Sequence, residues 1–319
     1  MNDEGDPRSS AEQLALDAID QIERGDVAAA EALAEEALKT TDDVADAMLR
    51  DRARARALRA GGTVARSRGR FADAESCFGE ALPVAQRAFG PISTQVAELH
   101  NDLGMTFKYA GRFAAADEAY RHALDVLEEL VDGDPSDLAA LYHNLGGLAH
   151  ARGDYEAAEP LARRAIEIRT EALGPADPAT LLDRSAHAAI LDGLGRSDEA
   201  EVELRDVLVG LESALGRDHP EVAVVLNNLA AIAQRRGELA DAESLYRRVI
   251  AIRESRLGPE SPALAVPLSN LGGVLNSQGR TTEAGNAYQR AVEVLDGAVD
   301  ADHPNLVAIR RKLAGMGSR

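Results

Sequence analysis

The sequence predicts an all-α chain of about seven antiparallel helix pairs followed by a C-terminal capping helix, and three observations predict it. A glycine recurs at Gly69, Gly111, Gly153, Gly195, Gly237 and Gly279, each 42 residues after the last, with Gly25 standing 44 residues before the first. Around it the residue sizes repeat as well. Alanine stands five residues after every glycine (Ala30, Ala74, Ala116, Ala158, Ala200, Ala242, Ala284), and a small residue twelve after it (Ala37, Ala81, Ala123, Ala165, Val207, Val249, Ala291). Nine after it most copies carry a bulky residue: Phe78, Tyr120, Leu204, Tyr246 and Tyr288. A fixed period of this length marks a repeat array rather than an ordinary globular domain.

Taken in order, residues 1–9 are rich in charge and turn formers, show no apolar period and read as disordered. The array runs from 10 to 302. Its first copy is degenerate, with Asp17 where later copies carry Leu103, Leu145, Leu229 and Leu271, which suits a terminal repeat with a polar outer face. In each copy the segment before the glycine is helical, as in LNNLAAIAQRR and LSNLGGVLNSQ. The segment after it places small and large residues on one helical face. The glycine between them closes the first helix in a left-handed conformation at no steric cost. Prolines then punctuate the array in LGPADP (173–178), LGRDHP (215–220) and LGPESP (257–262), where they suit the first turn of the following helix. The last segment, 303–319, begins like another first helix but has no partner, so it is expected to cap the helix at 281–298.

Helix, glycine turn, helix and Leu-Gly-x-x-x-Pro linker at a period of 42 resembles the tetratricopeptide repeat of the kinesin light chain type, over nearly the whole chain. The resemblance implies a right-handed α-solenoid, expected here as one continuous superhelix, in which the first helix of each pair lines a concave groove where ligand segments bind.

Composition sets limits on function. Net charge is −19, which argues against a broad electrostatic grip on nucleic acid or an anionic membrane. Aromatic residues are 3% of the chain and tryptophan is absent, so the core must be alanine and leucine at close helix spacing. Cys77 is the one cysteine, which excludes an intramolecular disulfide and reads as a small buried apolar residue rather than a nucleophile. Neither a membrane span nor a secretory signal is visible, so a cytoplasmic location is the default expectation. Abundant alanine, with arginine supplying almost all positive charge, suggests a GC-rich bacterial genome.

The candidate site is read from the first helices. In peptide-binding members of the family, asparagine nine residues before the turn glycine (offset −9) holds the ligand's backbone or carboxylate, and on that match Asn144, Asn228 and Asn270 carry over. An amide offers both a donor and an acceptor to an extended peptide without demanding one side chain. Asp102 departs from the match and would repel a carboxylate, while Ala60 and Ala186 interrupt the row. Two more rows should face the groove: Arg59, Asn101, His143, Ser185, Asn227 and Ser269 at offset −10, and Arg66, Lys108, His150, Asp192, Gln234 and Asn276 at offset −3. With Arg56 a turn before Arg59, the N-terminal half is expected to attract an acidic segment. The plainer alternative is a solvated polar face.

The expected function is therefore a non-catalytic scaffold or adaptor holding a peptide or protein segment in the groove, with no cofactor. A regulatory or self-assembling module, gripping a folded partner by its edges or forming a homo-oligomer, is the alternative. A metal site from His143, His150, Glu98 and Asp102 is weaker, because none of HExxH, CxxC, GxSxG or GxxxxGK[ST] occurs. The fifth repeat is irregular, with Ala186, His187, Gly193 and Ser197 in place of the usual residues, and is a candidate hinge.

Overall fold

The computed structural model describes residues 10–130, 133–299, 301 and 303–315, and the expected N-terminal tail at 1–9 lies outside them. The chain divides into two compact units, Met1–Gly133 and Asp134–Arg319. The first holds three helix pairs: α1 (Ser10–Glu23) with α2 (Val27–Thr40), α3 (Ala47–Ser67) with α4 (Phe71–Phe89), and α5 (Thr94–Tyr109) with α6 (Phe113–Glu129). The second holds four: α7 (Pro135–Ala151) with α8 (Tyr155–Leu173), α9 (Pro178–Gly193) with α10 (Ser197–Leu215), α11 (Pro220–Arg236) with α12 (Leu239–Leu257), and α13 (Ala265–Ser277) with α14 (Thr281–Glu293). A last helix, α15 (Pro304–Ala314), adds Leu306 and Ile309 to the core of the final pair.

The periodic residues explain why each pair forms. All seven turn glycines have positive φ, between 74° and 83°. At Gly111 the turn returns Arg112 N–H to the Phe107 carbonyl at 2.8 Å, satisfying a helix-end acceptor that would otherwise be orphaned. The seven alanines at offset +5 are all fully buried, as are the +9 side chains Phe78, Tyr120, Leu204 and Tyr246. Tyr120 needs a gap to enter, and Gly104 on the facing helix provides it: a methyl there would stand 2.5 Å from the ring. The prolines start helices as expected, at Pro135, Pro178, Pro220 and Pro304, each preceded by a side chain that caps the helix. Asp134 and Asp177 cap through carboxylates, and His219 and His303 through Nδ1.

Adjacent pairs are tied along the turns by a charge pattern. The arginine after the turn glycine reaches the acid at offset +6 of the preceding repeat: Arg70 to Glu31 at 2.6 Å, Arg112 to Glu75 at 2.6 Å, Arg196 to Glu159 at 2.9 Å and Arg280 to Glu243 at 2.7 Å. Where Glu238 replaces that arginine, Arg236 from just before the glycine takes over and pairs with Glu201. The acid that follows the buried alanine therefore has a structural task, and each such exposed pair contributes no more than about 1 kcal/mol.

One expectation changes with the packing. Cys77 is half-buried rather than buried, and burial together with Glu80 and Asp73 pushes its thiol up from the ordinary range, away from thiolate. Three irregular residues of the fifth repeat, Gly193, Ser197 and His187, are packed or bonded. Gly193 leaves room for Tyr155, whose ring would lie 2.3 Å from a methyl there, and Ser197 Oγ donates to Asp192 at 2.7 Å. His187 Nδ1 and Arg184 Nε both engage Glu203, at 3.0 and 3.3 Å.

Candidate functional site

The first helices of the second unit, α7, α9, α11 and α13, present the asparagine row on a partly exposed face, with Asn144, Asn228 and Asn270 all half-buried. The row is held by a bond that the sequence reading missed. Asn228 Nδ2 donates to Ser185 Oγ at 3.1 Å, and Asn270 Nδ2 approaches Asn227 Oδ1 at 3.5 Å. Each links offset −9 to offset −10 of the repeat before, 43 residues away. Lys312 continues the series from α15, donating to Ser269 Oγ at 3.1 Å. The amide N–H groups are thus committed to orientation, while Oδ1 of Asn228 and of Asn270 accepts nothing from any described residue and can take an N–H from a ligand backbone. The signal was present in the sequence as donor and acceptor types recurring 43 apart.

Two features of this face were not anticipated. At offset −13 stand Val224 and Val266, 38% and 43% exposed on α11 and α13. Between α7, α8 and α9 a cavity of about 110 Å³ opens beside Ala186, the residue that interrupts the asparagine row. His143 and His150 both line it, with Asp183 at its wall. His143 Nδ1 lies 2.9 Å from Asp183 Oδ1, and Arg169 Nε donates to the other oxygen of the same buried carboxylate at 2.6 Å. His150 packs edge-to-face on Tyr155. Gln234 is half-buried, with the Tyr246 hydroxyl 3.4 Å from its Oε1, and Asn276 is exposed. No group of three or more His, Cys, Asp and Glu side chains is gathered as a metal site among the described residues.

In the first unit the same face is bridged by ion pairs, beside a cavity of about 190 Å³ that Arg56, Arg59, Glu98 and Phe89 help to line. Arg59 Nε and Nη1 donate to Asp102 and Glu98, both at 2.7 Å, and Arg66 Nη1 donates to Asp102 at 2.9 Å. Arg56 pairs with the buried Glu12. Asp102, expected to repel a carboxylate, is buried between two guanidinium groups, and the expected cationic face is largely neutralised within the protein. Burial would lower the Arg59 pKa, but Asp102 and Glu98 outweigh it and hold the guanidinium above its ordinary value. Lys108 remains, half-buried, its ammonium lowered from the ordinary range by burial. Asn101 is half-buried on α5, with Met105 Sδ 3.9 Å from its Nδ2.

Comparison with known proteins decides the family. Tetratricopeptide-repeat models match residues 53–129, 137–208 and 222–263, together more than half of the chain. The chain belongs to the tetratricopeptide-repeat family. Membership indicates a protein-interaction scaffold. Among solved structures, this tetratricopeptide-repeat protein is similar to a Rap protein complexed with Competence and Sporulation Factor, 15% identical over 98% of this chain and 88% of that one, with a TM-score of 0.65. It is also similar to the Rap conjugation gene regulator of the plasmid pLS20 in complex with the Phr* peptide, at 15% identity over 97% and 80% of the two chains and a TM-score of 0.64. Nearly identical TPR-like repeats of the kinesin light chain type from Podosopora anserina match at 23% identity over 58% of this chain and 87% of that one, with a TM-score of 0.48. No curated protein matches the sequence. No helix among the described residues is long and apolar enough to cross a membrane.

Proposed function

We propose that this tetratricopeptide-repeat protein is a non-catalytic scaffold that holds an extended segment of another polypeptide against the first helices of its second unit. The observation that carries the reading is the row of oriented amides, with unengaged Oδ1 atoms on Asn228 and Asn270 beside the exposed Val224 and Val266. Amide carbonyls at each repeat suit the N–H groups of an extended backbone, and the valines suit apolar side chains of the same segment. The Rap regulator in complex with the Phr* peptide shares the fold, which is consistent with a peptide as the ligand class.

Arg56, Arg59 and Arg66 belong in this reading to the internal structure of the first unit. An acidic segment there would have to displace Glu12, Glu98 and Asp102, which are already in contact and partly desolvated. Lys108 is the remaining cation of the offset −3 row available to such a segment.

The test is a selection of displayed random ten-residue peptides on the immobilised full chain, followed by affinity measurement on wild type and on Asn144→Ala, Asn228→Ala, Asn270→Ala combined. Selected peptides should weaken by on the order of tenfold or more on the triple variant, the scale of one or two lost hydrogen bonds to buried partners. Circular dichroism should show both proteins equally helical. Peptides that bind both equally well would move the site off the asparagine row.

A further inference from the structure

The cavity between α7, α8 and α9 lies on the same face as the amide row, in the gap between Asn144 and Asn228 that Ala186 creates. Its chemistry is set by a chain of three side chains. Asp183 is 3% exposed and accepts from Arg169 at 2.6 Å, so its other oxygen faces His143 Nδ1 at 2.9 Å. A carboxylate only accepts, which places the proton of a neutral imidazole on Nδ1 and leaves Nε2 as an acceptor. Among the described residues nothing engages His143 Nε2, and the side chain is 40% exposed. The charges of Asp183 and Arg169 offset each other, so in that tautomer His143 presents an acceptor, with His150 also lining the pocket, above walls of Ala186, Ala189 and Ile190.

The break in the row and the pocket are one feature. Elsewhere offset −10 bonds to offset −9 of the next repeat, as Ser185 does with Asn228 and Asn227 with Asn270. His143 occupies offset −10 but faces Ala186, which offers no partner, and it turns instead to Asp183. A cavity of about 110 Å³ is somewhat smaller than the ~150 Å³ engineered cavity that binds benzene, so it holds a side chain of roughly three to five heavy atoms.

We propose that this cavity is a specificity pocket that takes one neutral side chain of the bound segment, with an apolar stem and a hydrogen-bond donor at its tip: threonine, asparagine or glutamine. The donor goes to His143 Nε2, the stem to Ala186, Ala189 and Ile190, and the flanking backbone to the amide row. The assignment rests on the segment-binding reading above, and its test separates the two.

Peptides selected on the wild-type chain are synthesised with a fluorescent label, together with a single-alanine series of each, and their affinities are measured by anisotropy on wild type, Ala186→Leu and His143→Phe. Ala186→Leu fills the cavity; His143→Phe keeps a ring of similar shape and removes the acceptor. One threonine, asparagine or glutamine position should lose on the order of tenfold in affinity when changed to alanine on wild type, and less than about twofold on either variant. His143→Phe carries the test alone if Ala186→Leu melts at a markedly lower temperature. Peptides that depend on Asn144, Asn228 and Asn270 but have no position coupled to His143 would overturn the pocket and leave segment binding standing. Peptides indifferent to the asparagines, or no enriched peptides at all, would overturn both.

Discussion

In the first unit, offsets −13, −10 and −9 of the first helices hold Glu12, Arg56, Arg59, Glu98 and Asp102, and each of these is engaged by a partner of opposite charge one repeat away. In the second unit the same offsets hold the exposed Val224 and Val266 together with Ser185, Asn227, Asn228 and Asn270, and these four are linked in two pairs by single neutral hydrogen bonds with acceptor atoms to spare. One scaffold position thus carries mutually paired charges in one unit and amides with spare acceptors in the other. The side chains decide which: a buried ion pair loses heavily if either member is diverted to a ligand, whereas an amide held by one bond can make a second at little cost.

The largest test of that difference is Asp102→Ala set against Asn228→Ala. Removing Asp102 leaves Arg66, 12% exposed, facing no carboxylate there and strips Arg59 of one of its two, and should destabilise the first unit by about 3–5 kcal/mol. Asn228→Ala should cost no more than about 1.5 kcal/mol, since only a neutral bond is lost. Hydrogen exchange across α3 and α5 for the former, and across α9 and α11 for the latter, reads each locally. Similar costs would mean that the two faces do not differ in the way described.

Next in size is the effect of charge on the amide face of the second unit. Val224→Asp with Val266→Asp should weaken selected peptides by on the order of tenfold or more, because a carboxylate cannot be desolvated against an apolar side chain. The melting temperature should barely move, since both valines are well exposed and surface changes of this kind stay within about 0.5 kcal/mol. A large loss of stability would show instead that the valines are core residues of their helices.

How far this division was legible in the sequence depends on the type of residue. The helix pairs were, because period, small-residue positions and helix starts are local properties, and Ala30 through Ala284 are buried where the pattern put them. The state of the charges was not. Arg56, Arg59 and Arg66 could be placed on the inner face, but whether a guanidinium is free depends on what the neighbouring repeat brings, and Glu12, Glu98 and Asp102 sit 44, 39 and 43 or 36 residues from their partners. Opposite charges at about one repeat's separation were the signal. The cavity beside Ala186 was less legible still: an alanine in place of asparagine reads as an interruption, and only packing shows that it leaves a space beside His143.

A smaller effect concerns pH in the second unit. Burial would raise the carboxyl of Glu203, but hydrogen bonds from His187 and Arg184 outweigh it and hold the group below the usual glutamate range. A depressed folded-state value means the stabilisation is fully present above the unfolded value of about 4.3 and is lost as pH falls through the folded one. The unit should therefore lose on the order of 1 kcal/mol on acidification below about pH 5 from this group, and Glu203→Gln should flatten that part of the profile. An unchanged acid limb in Glu203→Gln would locate the acid sensitivity elsewhere.

The smallest effect is expected where the two units are alike, along the turns. Arg70 pairs with Glu31 in the first unit as Arg280 pairs with Glu243 in the second, at 2.6 and 2.7 Å. These are solvent-facing pairs between flexible side chains, so Arg70→Ala should cost less than about 1 kcal/mol, and the difference from wild type should shrink toward zero as salt rises to about 1 M, where the screening length is about 3 Å. Arg280→Ala should behave with the same sign and the same salt response. Paired melting curves at low and high salt check both. A turn-side deletion that harmed one unit far more than the other would show that the units differ in how their repeats are joined, and not only in what their first helices expose.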